Sequence, residues 1–242
     1  MIRASRISKS FGSRIVLRNL EFSADPGEVI SLIGLNGAGK TTFIRILATL
    51  MRADSGKIFI NRYNISQAPI QIRKKIGVVL HSPMLYGDLT GDENLVFYAK
   101  LFGVQQPETR IDQILQLTNL DPRRKDLVRT YSRGMQQRLS IGRAILHNPD
   151  VLLLDEPYTG LDQDSIGNVD ALLAQLAVEG KLILLTSHDL ERALAVSSRI
   201  DILYRGSIAD SLKIDQLAGN ELKNRFRSIT GKTFPGAGNQ AD

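Results

Sequence analysis

Short runs of β-branched and leucine residues alternate along this chain with longer stretches of helical period. Val29–Ile33, Lys57–Ile60, Ile76–Leu80, Val151–Asp155, Leu182–Ser187 and Ile200–Tyr204 are short, mostly apolar and bounded by Gly, Pro or Asp. Such runs predict strands buried on both faces, as in a largely parallel sheet. Thr41–Leu50, Asp92–Phe102, Thr109–Thr118, Gly134–Leu146, Ser165–Val178 and Leu190–Val196 carry apolar residues at helical spacing. Strand and helix alternate at both ends of the chain, which predicts α/β architecture. From about Asp88 to His147 the rhythm breaks into three helices without a convincing strand. This predicts one domain over 1–230 with a helical subdomain inserted at about 88–147. Residues Gly231–Asp242, with three glycines and a proline, have no period and read as a flexible tail. No internal repeat is visible.

Composition adds exclusions. With 43% hydrophobic and 23% charged residues, the chain is neither disordered nor fibrous. Its net charge of +6 suits a phosphate ligand, nucleic acid or an anionic surface, without choosing among them. There is no cysteine, so disulfides, thiolate metal sites and cysteine nucleophiles are excluded. Apolar runs such as Val151–Leu154 fall far short of the roughly 18 residues a membrane-spanning helix needs. Arg3 and Arg6 are not followed by an apolar segment of the kind that makes a secretory signal. The expectation is a soluble, intracellular protein.

Candidate chemistry begins after the Val29–Ile33 run. Gly34, Leu35, Asn36, Gly37, Ala38, Gly39, Lys40, Thr41 and Thr42 fit the P-loop pattern G-x-x-x-x-G-K-[ST] between a strand and a helix. The glycines let backbone N–H groups wrap phosphate oxygens, and the helix directs its positive end at the same anion. Lys40 adds a point charge and the Thr41 hydroxyl can ligate Mg²⁺. A nucleoside triphosphate is the implied ligand. Asp155 and Glu156 close the Val151 strand 115 positions after Lys40. They fall at the sheet edge where ligands of open α/β folds sit. There Asp155 would serve the Mg²⁺ shell and Glu156 would orient and polarise the attacking water.

The guanine-specific N-K-x-D pattern is absent, and Asp164-Ser165-Ile166-Gly167 is a chance D-x-x-G match. Tyr131-Ser132-Arg133-Gly134-Met135-Gln136-Gln137-Arg138 resembles the signature of the ATP-binding-cassette ATPases. Gly160-Leu161-Asp162 is similar to that family's D-loop, Thr186-Ser187-His188-Asp189 to its switch histidine, and Phe11 to its adenine-stacking aromatic. The likeness runs over about residues 2–210 in the family's order. It implies a P-loop NTPase core with a mostly parallel sheet, an N-terminal antiparallel β subdomain and an inserted helical subdomain. It also implies ATP and Mg²⁺ as cofactors and His188 beside Glu156 at the γ-phosphate. Two cassettes would pack head to tail, the signature residues Ser132 and Gly134 of each completing the other's site, with Asp162 also at the nucleotide, and a single cassette implies a homodimer.

Two motifs depart from the family pattern. His81 stands where the Q-loop glutamine is expected, and a neutral imidazole there could still serve Mg²⁺. Arg133 and Met135 replace a glycine and a glutamine of the signature. Met84 to Leu89, with Leu95, Phe97, Tyr98 and Phe102, form an apolar and aromatic stretch. Part of it reads as core and part as a groove for a partner helix, which in the family is the coupling helix of a membrane subunit. Arg123, Arg124, Lys125, Arg129, Arg133, Arg138 and Arg143 fall at mixed helical phases with little aromatic interleaving. They read as a solvated face, and no nucleic acid partner is expected. The resemblance thus implies a transporter ATPase on the cytoplasmic face of the cell membrane, driving a permease on a separate chain. The signature and its neighbourhood are most similar to the haem-exporter subgroup that serves cytochrome c biogenesis. A multidrug, sodium or polysaccharide exporter is the alternative.

Overall fold

A computed structural model describes residues 1–217 and 219–232. In chain order the strands are β1 (Ile2–Phe11), β2 (Arg14–Ala24), β3 (Val29–Ile33), β4 (Ser55–Ile60), β5 (Tyr63–Asn64), β6 (Ile76–Val79), β7 (Val151–Leu154), β8 (Leu182–Ser187), β9 (Arg199–Tyr204) and β10 (Ser207–Lys213). The α-helices are α1 (Lys40–Leu47), α2 (Pro69–Arg73), α3 (Gly91–Phe102), α4 (Pro107–Leu117), α5 (Arg133–Ile145), α6 (Gln163–Val178), α7 (Leu190–Val196) and α8 (Glu221–Thr230). Among the described residues the strands form two sheets. One is ordered β2-β1-β4-β5 and the other β10-β9-β3-β8-β7-β6. The first is antiparallel, and the second is parallel from β9 to β6 with β10 antiparallel at its edge. The α/β expectation holds, with α3, α4 and α5 in succession between β6 and β7.

Strand β7 and Leu182–Leu185 of β8 are apolar at every position because both faces of the large sheet are covered. Val151, Leu153, Leu182 and Leu184 point to the side of α1 and the small sheet, where they meet Phe43, Leu47 and Ile2. Leu152, Leu154, Ile183 and Leu185 point to the other side, onto a cluster that includes Leu95 of α3, Leu115 of α4, Ile141 of α5 and Leu172 of α6. This is the period of two expected of a strand with two buried faces. The helices between β6 and β7 therefore share one core with α6 and the sheet. On the remaining strands, α7 and α8 cover β9 and β10 through Leu190, Leu222 and Phe226.

Several elements differ from the sequence expectation. Lys57–Ile60 belongs to β4, which pairs antiparallel with β1 instead of joining the parallel sheet. Strands β1 and β2 escape the apolar-run criterion because each alternates with polar residues and is interrupted at a positive-φ residue, Arg6 (φ 51°) or Asn19 (φ 45°). The register shifts there move the apolar set from spacing two to spacing three, from Ala4 to Ile7 and from Leu17 to Leu20. Strand β10 is polar because it is an edge, and α2, α8 and β5 are short or weakly apolar. Helix α1 stops at Leu47 instead of Leu50. Thr49 turns to φ 60° and the N–H groups of Leu50 and Met51 fold back onto Arg45 O. Of the expected tail, Gly231 caps α8 in the left-handed region, and residues 233–242 lie outside the described residues.

His147 shows how the sheet and the inserted helices are joined. Its Nε2 lies 3.1 Å from Ile76 O, its ring stacks on Phe102 at 4.3 Å between centroids, and its buried Nδ1 has no hydrogen-bond partner among the described residues. Burial lowers its pKa below the ordinary 6.5; the Ile76 carbonyl opposes this, while the Arg143, Arg110 and Lys181 charges reinforce it. As pH falls the unfolded chain takes up this proton first, so stability is lost from about pH 6.5 downward until the folded histidine protonates. Urea unfolding of the wild type and His147→Gln at about pH 7 and pH 5 checks this, and the wild type should show the steeper loss.

Candidate active site

Parallel pairing aligns the carboxyl ends of β3, β7 and β8. Ile33 sits opposite Ser187, and Leu154 opposite Leu185. The loops that follow the three strands therefore leave side by side along one sheet edge. They carry Gly34–Thr42, Asp155–Glu156 and His188.

The first loop ends at Gly39, the N-cap of α1, with φ 114° and no side-chain capping bond. A Cβ at Gly39 would stand 2.7 Å from Leu17 Cδ2, so both its conformation and its contact with β2 require glycine. The first N–H groups of α1 have no partner within the helix, and an anion held by this loop would satisfy them. Lys40 is 7% exposed, and its Nζ donates to Gly34 O at 2.7 Å and Leu35 O at 3.4 Å. Burial lowers the Lys40 pKa, while the nearby charges of Glu156 and Asp155 raise it. The resulting groove holds about 420 Å³, and Asn36, Gly37, Lys40, Thr41 and Thr42 line it together with Glu156.

Asp155 is 5% exposed, and its Oδ1 accepts from Thr41 Oγ1 at 3.1 Å and Thr186 Oγ1 at 2.8 Å. Thr186 Oγ1 also accepts the Glu156 N–H at 2.9 Å. That bond helps hold Glu156 at φ 54°, a conformation costing about 1–3 kcal/mol that persists where surrounding structure enforces it. Glu156 Oε2 accepts from Thr159 Oγ1 at 3.1 Å and faces His188 Nδ1 at 2.9 Å. Glu156 thus stands between the lysine groove and a second cavity of about 230 Å³ that reaches His188. A cation, open N–H groups and a carboxylate–imidazole pair at one edge can hold a polyphosphate and take a proton from a water beside it.

Other expected residues lie elsewhere. Phe11 is exposed at the tip of the β1–β2 hairpin, opposite Arg14, with Lys9 Nζ 5.5 Å from its ring centroid. Ser132 caps α5 by accepting from Met135 N, and Asp162 caps α6 by accepting from Ser165 N. Gly134 is buried where a Cβ would collide with Ser165 Oγ, so it serves close packing of α5 on α6. His81 is exposed in the segment after β6, and neither Ser132, Asp162, Phe11 nor His81 lines the lysine groove. Reading motifs alone missed Arg14, Val16, Thr159 and Thr186. Arg14 and Val16 line the groove from β2, and no ion pair or hydrogen bond of the Arg14 guanidinium is found among the described residues. Thr186 carried a signal, since it ends the strand that neighbours Asp155.

The basic set is a solvated face at Arg123, Lys125, Arg129 and Arg133, which are exposed, while Arg124 and Arg138 are half-buried and Arg143 is buried. Arg124 pairs with Asp92, Asp112 and Asp121, Lys125 with Asp92, Arg129 with Asp88, and Arg123 with Asp126. Arg138 donates to Thr118 O, and Arg143 is buried and donates to Val78 O. These charges tie the inserted helices together. The apolar stretch divides as expected: Leu95 and Tyr98 are core, whereas Met84, Tyr86, Phe97 and Phe102 are exposed. Tyr98 Oη donates to Met84 O, and the buried Asn94 holds both the N–H and the carbonyl of Tyr86, so the exposed side chains sit on a fixed loop.

Residues 17–159 match the family described as ABC transporter. The chain belongs to this family. The linearmycin resistance ATP-binding protein LnrL of Bacillus subtilis (strain 168) is 36% identical over 218 residues, covering 89% of this chain and 70% of the relative. The bacitracin transport ATP-binding protein BcrA of Bacillus licheniformis is 35% identical over 218 residues, covering 90% and 71%. A solved ATP-binding subunit of an ABC transporter is 29% identical, with a TM-score of 0.81 over 96% of this chain and 95% of its own. A cassette solved as a dimer in a post-hydrolysis state with ADP and Pi is 26% identical, with a TM-score of 0.78 over 88% and 99%. This chain is therefore the ATP-binding, ATP-hydrolysing subunit of an ABC transporter. No helix of the described residues is long and apolar enough to cross a membrane. The names of these relatives refer to drug resistance and antibiotic transport, which does not support the expected haem-exporter subgroup. The likeness to that subgroup rested on short stretches around the nucleotide motifs.

Proposed function

We propose that this ABC ATPase powers export of an antibiotic-class compound through a permease on a separate chain, at the cytoplasmic face of the membrane. The 36% identity to the linearmycin resistance ATPase over 218 residues carries this reading. In the proposed mechanism, the Gly34–Thr42 loop and Lys40 hold the ATP phosphates, and Phe11 stacks on the adenine. Glu156 takes the proton of the attacking water, and His188 steadies Glu156 and the γ-phosphate. Asp155 spends Oδ1 on two hydroxyls, and no hydrogen bond to its Oδ2 is found among the described residues. With the Thr41 hydroxyl it makes a sparse oxygen set, which suits Mg²⁺, an ion that keeps waters and phosphate oxygens as its other ligands. When bound, Mg²⁺ would neutralise phosphate charge. Thr41 and Asp155, joined at 3.1 Å, are the proposed cation ligands; His81, exposed in the segment after β6, shares no hydrogen bond with either among the described residues.

Because Ser132, Gly134 and Asp162 do not line the groove of their own chain, they are assigned to the nucleotide of a second copy packed head to tail. The solved cassette dimer supports that assembly. The exposed Met84, Tyr86, Phe97 and Phe102 then form the surface offered to the permease. Tagged purification from detergent-solubilised membranes of the native host tests the assignment. A drug- or antibiotic-type permease is the expected integral protein to co-purify. A cytochrome c assembly factor in its place would restore the haem reading, and ribosomes or DNA would overturn transport altogether.

A further inference from the structure

We propose that Thr159 is a positioning residue for Glu156, selecting which carboxylate oxygen receives the proton of the attacking water. The proposal rests on the reading of Glu156 as the general base. Thr159 Oγ1 donates to Glu156 Oε2 at 3.1 Å, and His188 Nδ1 meets the same oxygen at 2.9 Å. A carboxylate oxygen only accepts, so both partners donate to it. No hydrogen bond to Oε1 is found among the described residues. An oxygen with two donors is the less basic of the pair. The proton of the water therefore passes to Oε1 as the water oxygen bonds to the γ-phosphorus and the bond to the leaving ADP oxygen breaks.

The position of the Thr159 hydroxyl is set from two sides. Thr159 N–H closes a turn onto Glu156 O at 3.3 Å, and Glu156 N–H is held by Thr186 Oγ1 at 2.9 Å. Between them lies Tyr158. Its ring lies 5.7 Å from the Arg192 guanidinium of α7, which in turn pairs with Asp170 of α6 at 2.6 Å. The segment is thus anchored to two helices, and its hydroxyl is presented to one oxygen of Glu156.

The test is ATP turnover by the full chain carrying Thr159→Val, which keeps the shape and removes the donor, and Thr159→Ser, which restores it. We expect Thr159→Val to lower kcat about tenfold, with KM and ATP affinity unchanged, and Thr159→Ser to recover most of the loss. Adding Thr159→Val to Glu156→Gln should cause no further loss, because the carboxylate that accepts the proton is gone. Wild-type kcat in Thr159→Val, or failure of Thr159→Ser to recover turnover, overturns the proposal. Thr159→Ala stands in should the valine variant not fold, with the same two outcomes. Glu156→Gln alone separates the premises. If it turns over normally the reading of Glu156 fails, and if it is inactive beside a fully active Thr159→Val, only the positioning proposal fails.

Discussion

Glu156→Gln is expected to bind ATP as tightly as the wild type and to lower kcat by about two to four orders of magnitude, the usual worth of a general base. The side chain keeps its length, so the 420 Å³ groove and the buried Lys40 are undisturbed. The φ 54° backbone and its bond to Thr186 Oγ1 do not depend on the side chain. What disappears is the basic oxygen. An amide cannot take the water's proton at neutral pH, so the variant should accumulate as an ATP-bound dimer. Single-turnover hydrolysis, with nucleotide binding and size-exclusion chromatography in ATP, reads both effects. Steady-state hydrolysis at the wild-type rate would remove Glu156 from the role assigned to it.

Lys40→Ala is expected to fail at the earlier step. Removing one partner of a buried, hydrogen-bonded charge contact costs about 2–5 kcal/mol. That is a loss of roughly 30-fold or more in ATP affinity. In the free protein Nζ donates to Gly34 O and Leu35 O of its own loop, while burial lowers its pKa against the opposing Glu156 and Asp155 charges. The lysine is therefore held in a place that an anion completes, and its removal should spare the fold. Equilibrium binding of a fluorescent ATP analogue, with a melting curve as the folding control, checks this. Unchanged affinity would contradict the phosphate role. The two variants dissect the site, since one should bind without turning over and the other should not bind.

The chemistry was legible because each strong motif is local. The loop Gly34–Thr42 needs its glycines, lysine and hydroxyl within one turn, and Asp155 and Glu156 are adjacent. Strands buried on both faces announced themselves for a similar reason, as with Leu182–Leu185, where every side chain is apolar. The antiparallel sheet followed from the family resemblance but not from periodicity, because β1 and β2 bury alternate residues and lose their period at Arg6 and Asn19. The basic residues around Arg124 and Arg143 could not be judged either. Their carboxylate and carbonyl partners lie up to 65 positions away, as with Val78 O for Arg143. Cargo was the least legible, because a likeness around the nucleotide motifs pointed to haem while the names of these relatives refer to antibiotics.

The sequence by itself determined the phosphate loop, the acid pair, the α/β alternation and the family, because each depends on residues close together in the chain. Only the tertiary structure added Thr159 and Thr186 to the Lys40, Glu156 and His188 that the family resemblance had grouped at the γ-phosphate. It also showed that Ser132, Gly134 and Asp162 stay outside that site's groove. Parallel pairing of β3, β7 and β8 is what converts distant chain positions into neighbours, since it brings three carboxyl ends to one edge where Glu156 and His188 meet at 2.9 Å.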